Sequence, residues 1–199
     1  MEHTRHYDPA RQRYSSRVMH LEQRSRPTDT SLPEGRADVR LQPWSPPSRG
    51  DYLALFHRVG DPWLWHGRLV GGGPAVDAWL KSPHARIFRL MTPEGAAGLA
   101  ELDLSHRGEV ELAYFGLCPE WHGRGFGGYL MRSVLARAWS DPAVERVWLH
   151  TCSEDHPDAV AIYRHFGFRA FHEEVEWVTD PRLIGLLPRS AGPHVPIPE

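Results

Sequence analysis

Residues 116–131, GLCPEWHGRGFGGYLM, constrain this chain more than any other stretch. They hold five glycines, three of them spaced G-x-G-x-G, and lead into an apolar, helix-like run. Glycine loses more backbone freedom on folding than any other residue, so glycines this dense mark a tight bend or a close approach. The stretch before them (109–117, EVELAYFGL) alternates as a strand, and the stretch after (125–140, GFGGYLMRSVLARAWS) has helical spacing and stops at Asp141–Pro142. A glycine turn between a strand and a helix start presents backbone N–H groups at the positive end of the helix dipole, a combination that binds phosphate. Arg124 adds charge at the rim. A dinucleotide fingerprint needs G-x-G-x-x-G behind the first strand of a βαβ unit, and a P-loop ends in Gly-Lys-Ser/Thr; both are absent. A purely structural turn is the other reading.

The rest of the chain supplies a context for the loop. Residues 15–25 are weakly strand-like, 26–36 read as a loop, and 37–43 alternate as a strand. Helical spacing recurs over 48–60 and again over 74–83, where a proline starts the helix. Between them lies DPWLWHGRLVGGGP, rich in aromatics and ending in a glycine run expected to be flexible. Three strands, 85–91, 96–104 and 109–117, are separated by the tight turns TPEG and SHRGE, which predicts an antiparallel meander. After the glycine loop and its helix come a strand (144–152), a helix (156–167) and a last strand (168–178). That second half makes crossovers that place strands in parallel. The expected class is α+β, a mixed and mostly antiparallel sheet with helices on both faces. One domain is expected over 14–180, with a flexible segment at 1–13 and an irregular proline-rich tail at 181–199.

Composition excludes several classes of function. The formal net charge of −2 gives no general attraction to nucleic acid or to an anionic membrane. No run approaches the roughly 20 apolar residues needed to span a bilayer, and the first residues have no apolar signal core. Cys118 and Cys152 form neither a disulfide framework nor a C-x-x-C motif. These features predict a cytoplasmic protein, monomeric or homodimeric. His150, Cys152, Asp155 and His156 bunch in one loop with no second ligand pair near, so no metal is expected. Asp155 or His156 is expected to cap the helix that follows.

The segment LCPEWHGRGFGG resembles the acyl-CoA loop of the GNAT superfamily of N-acetyltransferases. Leu117, Pro119, Gly123, Gly125 and Gly127 fit that family's pattern, and His122 stands where Gln or Arg is usual. A second match, AVAIYRHFGF, resembles the family's closing helix, with Ala159, Tyr163, Gly167 and Phe168 in place. The resemblance runs from about residue 37 to residue 178. It implies that the pyrophosphate of acetyl-CoA meets the loop of His122, Gly123, Arg124, Gly125, Phe126, Gly127 and Gly128. It also implies that the pantetheine arm pairs with backbone at Phe115 and Leu117, in a gap between splayed strands.

The resemblance further implies direct transfer of an acetyl group to a primary amine, with Tyr163 as the acid that meets the leaving thiolate. A phenol pKa near 10 lies above the thiol value of roughly 8 to 9. Glu111 occupies the position of a strand glutamate used as base. Glu109 shares its strand face, and Glu101 and Asp103 on the preceding strand are further carboxylates to weigh. Trp63, Trp65 and His66 are expected beside the acceptor, with Arg68 for an anionic group on it, and Glu109, Cys152 and His156 complete the expected acceptor contacts. Cys152 is either an acyl relay or a structural thiol. The acceptor is expected to be a small molecule. A protein or peptide amine, or a non-catalytic acyl-CoA-binding or partner-binding module on the same fold, is the alternative.

Overall fold

The structure is a computed structural model that describes residues 5–28 and 38–197. Its eight described strands form one mixed sheet. The strands are β1 (Tyr7–Asp8), β2 (Arg13–Gln23), β3 (Arg40–Pro43), β4 (Ala85–Thr92), β5 (Gly95–Asp103), β6 (Glu109–Leu117), β7 (Arg146–Cys152) and β8 (Arg169–Thr179). The α-helices are α1 (Arg49–Gly60), α2 (Gly72–Leu80), α3 (Phe126–Ala138) and α4 (Ala159–His165). Most of the loop expected over 26–36 lies outside the described residues.

The meander forms as expected. β4 pairs β5 and β5 pairs β6, both antiparallel, and β3 joins outside β4. The turns between them place Gly95 (φ 123°) and Gly108 (φ 78°) in backbone conformations that side chains resist. β6 then crosses through α3 to lie parallel to β7. The α1 helix is capped by Ser48, whose hydroxyl accepts from the Asp51 amide at 3.1 Å, and it buries Tyr52, Leu55, Phe56 and Val59.

The sequence reading differs from the structure in three places. First, β2 lies inside the sheet. It pairs antiparallel with β7 over Val18–Gln23 and with β8 over Arg13–Glu22, so β7 and β8 run parallel with β2 between them. Secondly, the glycine run at 71–73 is ordered into the start of α2: Gly71 (φ 84°) is its N-cap, and the helix begins two residues before Pro74. Thirdly, the described part of the tail, irregular as expected, packs its turns onto the domain. Leu187, Ala191 and Val195 are buried, and the buried Arg182 pairs with Asp180 at 2.7 Å while donating to the carbonyls of Ala191 and Val195. Among the described residues, no helix is long and apolar enough to cross a membrane.

Candidate active site

β6 and β7 share a ladder only at Glu109↔Arg146, Val110↔Val147 and Glu111↔Trp148. Beyond Glu111 they part, and β6 continues to Leu117 paired on its β5 side alone. The parting coincides with a bulge: Leu112 opposes Leu102 and Tyr114 opposes Glu101, which leaves Ala113 as the extra residue. A bulge bends its strand and sharpens the twist, so it steers β6 away from β7. The gap opens into a cavity of about 660 Å³ that reaches from the glycine loop to β2 and β8. That size suits a small-molecule site.

At one end lies the glycine loop. Gly123 (φ 71°) and Gly125 (φ 78°) adopt the left-handed conformation, and a Cβ at either would meet no protein atom within 4 Å. Gly125 is the N-cap of α3 and brings no side chain to its N–H groups. The helix start, with its partial positive charge, therefore faces open space. Of the residues expected at acetyl-CoA, Phe115, Leu117, His122, Gly123, Gly125, Phe126 and Gly127 line the cavity. Arg124 instead lies over the Trp121 ring at 4.7 Å, and Gly128 faces the Arg132 guanidinium; neither is in the lining. His122 Nε2 sits 3.1 Å from the Leu117 carbonyl oxygen, so the imidazole braces the turn.

In the middle lies Tyr163, on α4, with its ring against Phe115 and Phe168 and its side chain in the cavity wall. Burial raises its pKa, and nearby Asp155 and Cys152 push the same way. Cys152 also lines the cavity, and burial, followed by Asp155 and Glu154, raises its pKa well above that of a free thiol. A thiol held protonated is a poor nucleophile, which weighs against an acyl relay. Asp155 caps no helix. Its carboxylate accepts from Thr151 Oγ1 (2.7 Å), the Cys152 amide (2.9 Å) and Trp65 Nε1 (3.4 Å), tying the end of β7 to the aromatic loop. Burial raises its pKa despite those bonds. His156 accepts from the Asp158 amide at 3.1 Å, just before α4.

Trp63, Trp65, His66 and His156 line the cavity as a group. Arg68 does not. Its Nε meets Glu101 at 3.1 Å, and its guanidinium lies 3.7 Å from the centre of the Trp79 ring. Glu101 is 0% exposed, also accepts from Tyr52 Oη (2.5 Å) and Trp79 Nε1 (2.9 Å), and is absent from the cavity lining. Asp103 accepts from Ser105 in the next turn. Glu109 pairs with Arg146 at 3.0 Å and is absent from the lining. Glu111 is also absent from it, but Glu111 Oε1 lies 3.3 Å from Nδ1 of His150, which does line the cavity. That hydrogen bond raises the His150 pKa by more than burial lowers it. Among the described residues, no group of three or more His, Cys, Asp or Glu is arranged to hold a metal.

The other end of the cavity was missed from sequence. Tyr14, Ser16, Val18 and His20 line it from β2, with Glu176 and Val178 from β8. The period of two along β2 is the signal of one strand face, but the face is partly polar, so it carries no apolar alternation. Glu154, also in the lining, is buried and paired with Arg5 at 2.7 Å.

The chain matches the model of the acetyltransferase (GNAT) family over residues 17–168, well over half its length. No curated protein matches it. Among solved structures, a GCN5-related N-acetyltransferase from Kribbella flavida is 20% identical with a TM-score of 0.57, covering 85% of this chain and 60% of its own. A tandem GNAT protein from the clavulanic acid biosynthesis pathway is 15% identical (TM-score 0.60; 82% of this chain, 52% of its own). A GNAT family acetyltransferase from Elizabethkingia anophelis with acetyl-CoA bound is 14% identical (TM-score 0.53; 69% and 80%). The chain spans only 51–62% of the length of four such structures. At these identities the likeness is one of fold. The family match, the mixed sheet and the parting of β6 from β7 at the glycine loop lead to one conclusion: the chain belongs to the GNAT acetyltransferase family.

Proposed function

We propose that the protein is an acetyl-CoA-dependent N-acetyltransferase that acts on a primary amine of a small molecule by direct transfer. The observation that carries this reading is the single cavity joining the uncapped start of α3, the open edge of β6 and the Tyr163 side chain. Acetyl-CoA supplies the activated acyl group. Gly123, Gly125 and Gly127 leave room for its phosphates, and the unpaired side of β6 offers backbone groups to an extended arm, as a sheet edge does to an added strand. Residues 14–180 act as one catalytic domain, on which 5–13 and 181–197 pack. A reducing compartment such as the cytoplasm suits the two free cysteines.

Amine acetylation forms a C–N bond and breaks a C–S bond; the amine loses a proton and the sulfur gains one. His150 takes the amine proton, directly or through a water, and Glu111 behind it stabilises the resulting imidazolium. In this division Glu111 acts through His150. Tyr163 donates a hydrogen bond to the departing sulfur. Burial raises the phenol pKa, but it also penalises a thiolate formed in the same place, so the two rise together and the proton can still be shared. A CoA-release assay with acetyl-CoA and a panel of amines and peptides tests the reading. Acetyl-CoA binding without release on any amine would leave only a binding module.

A further inference from the structure

We propose that the β2–β8 end of the cavity is a subsite for a second, unreacting ammonium group of the acceptor, held between the Tyr14 hydroxyl and the Glu176 carboxylate. This rests on reading the cavity as the acceptor site. Tyr14 is 1% exposed and lines the cavity, yet its hydroxyl makes no hydrogen bond among the described residues. A hydroxyl that lines a cavity without a protein partner is open to a ligand atom there. In the β2–β8 ladder, Tyr14 opposes Val178 and Ser16 opposes Glu176. Tyr14 and Glu176 are therefore diagonal neighbours on one face, near enough for long side chains to share a ligand atom.

The charge of that atom follows from the lining. No lysine or arginine lines the cavity; its fixed charges are the carboxylates of Glu154, Asp155 and Glu176. Glu154 is neutralised by Arg5, and Asp155 is taken up by three donors. Glu176 has no ion pair or hydrogen bond among the described residues. An ammonium satisfies Glu176 as an ion pair and Tyr14 as a donor to its phenolic oxygen. A carboxylate on the acceptor would find no uncommitted cation: Arg68 is paired with Glu101, and Arg5, 5.6 Å from the centre of the Tyr14 ring, is paired with Glu154. The favoured acceptor is thus a diamine or polyamine without an acidic group, one nitrogen reaching His150 and another reaching Glu176.

The test is calorimetry on the full chain with α,ω-diamines of increasing length, the n-alkylamines of matching length and ornithine. At the best length the diamine should bind about tenfold more tightly than the monoamine, the lower end for a charge-assisted contact because Glu176 is exposed. Ornithine should lose that advantage. The preference should shrink to within about twofold in Glu176→Gln, shrink less in Tyr14→Phe, and reverse in Glu176→Lys. Equal binding of diamines and monoamines, no binding of any diamine, or a preference that survives in folded Glu176→Gln overturns the subsite. Acetyl-CoA binding is titrated separately. If it fails while the diamine preference holds, acyl transfer falls and the subsite stands; if monoamines are acetylated with no diamine advantage, only the subsite falls.

Discussion

Tyr163 and His150 divide the proton traffic of the proposed reaction, and each can be tested alone. Replacing Tyr163 with Phe removes one hydroxyl and keeps the ring contacts with Phe115 and Phe168. Acyl transfer should slow by a factor of about 10² to 10⁴, the usual contribution of a positioned acid, with acetyl-CoA affinity nearly intact. Unchanged turnover would remove Tyr163 from the mechanism. His150 predicts a pH dependence. Only its neutral form accepts a proton, and Glu111 holds its pKa above the ordinary 6.5. The rate should therefore rise with pH through a value above about 6.5, the free imidazole value. Glu111→Gln withdraws the charge that favours the imidazolium, so that limb should move to lower pH and its plateau should fall. A second acceptor of different pKa separates the enzyme from the substrate. A limb that follows the acceptor and ignores Glu111→Gln would sink the assignment.

At the scale of elements, the loop and α3 form one device that was legible because its signals are local. Gly125 has φ 78° and its added Cβ would meet nothing in the protein, so Gly125→Ala carries only backbone strain, about 1–2 kcal/mol. Gly108, at the same φ in the turn before β6, is the control, with only the Ala143 carbonyl oxygen at 3.6 Å from an added Cβ. Both variants should lose similar stability in thermal melts, and only Gly125→Ala should also lose acetyl-CoA affinity, by roughly tenfold or more, because its methyl stands where phosphate must approach. Equal changes in acetyl-CoA affinity in both would mean the loop meets no ligand. The meander was legible for a related reason: its strands pair with sequence neighbours through short turns. β2 was not. Apart from the two-residue β1, its partners lie more than a hundred residues away, and Ser15, Ser16 and Glu22 dilute the apolar signal of a strand that is buried along most of its length. Asp155 was misread as a cap because helix-capping residues also suit a turn that bonds back to its own strand, as it does to Thr151 and Cys152. Arg68 looked free for a ligand because nothing local announces a buried glutamate on β5.

At the scale of the whole molecule, β2 closes the fold. β8 is held in the sheet by β2 alone, and the β2–β7–β8 half joins β6 only through the short β6–β7 ladder that ends at Glu111↔Trp148. Strand β2 also carries Tyr14, Ser16, Val18 and His20 to the cavity and, through Ser16, meets the buried Glu154. Removing residues 1–24 should therefore cost more than a terminal segment usually does. Two ladders lose their shared partner, Tyr14 and Leu21 leave the core, and Glu154 is left buried without Arg5. The remaining chain should show no cooperative thermal transition, although it retains the meander, the glycine loop and α3. A synthetic peptide of residues 5–24 should restore the transition when added in trans, because the slot between β7 and β8 offers unpaired backbone on both sides. Two controls separate register from charge: a peptide of the same composition in scrambled order, and one with Tyr14 and Leu21 replaced by Ser. Neither should restore the transition. A truncated chain that melts cooperatively near the full-length temperature would show that β2 is an accessory strand, and the acceptor end of the cavity would then have to be built from β7 and β8 alone.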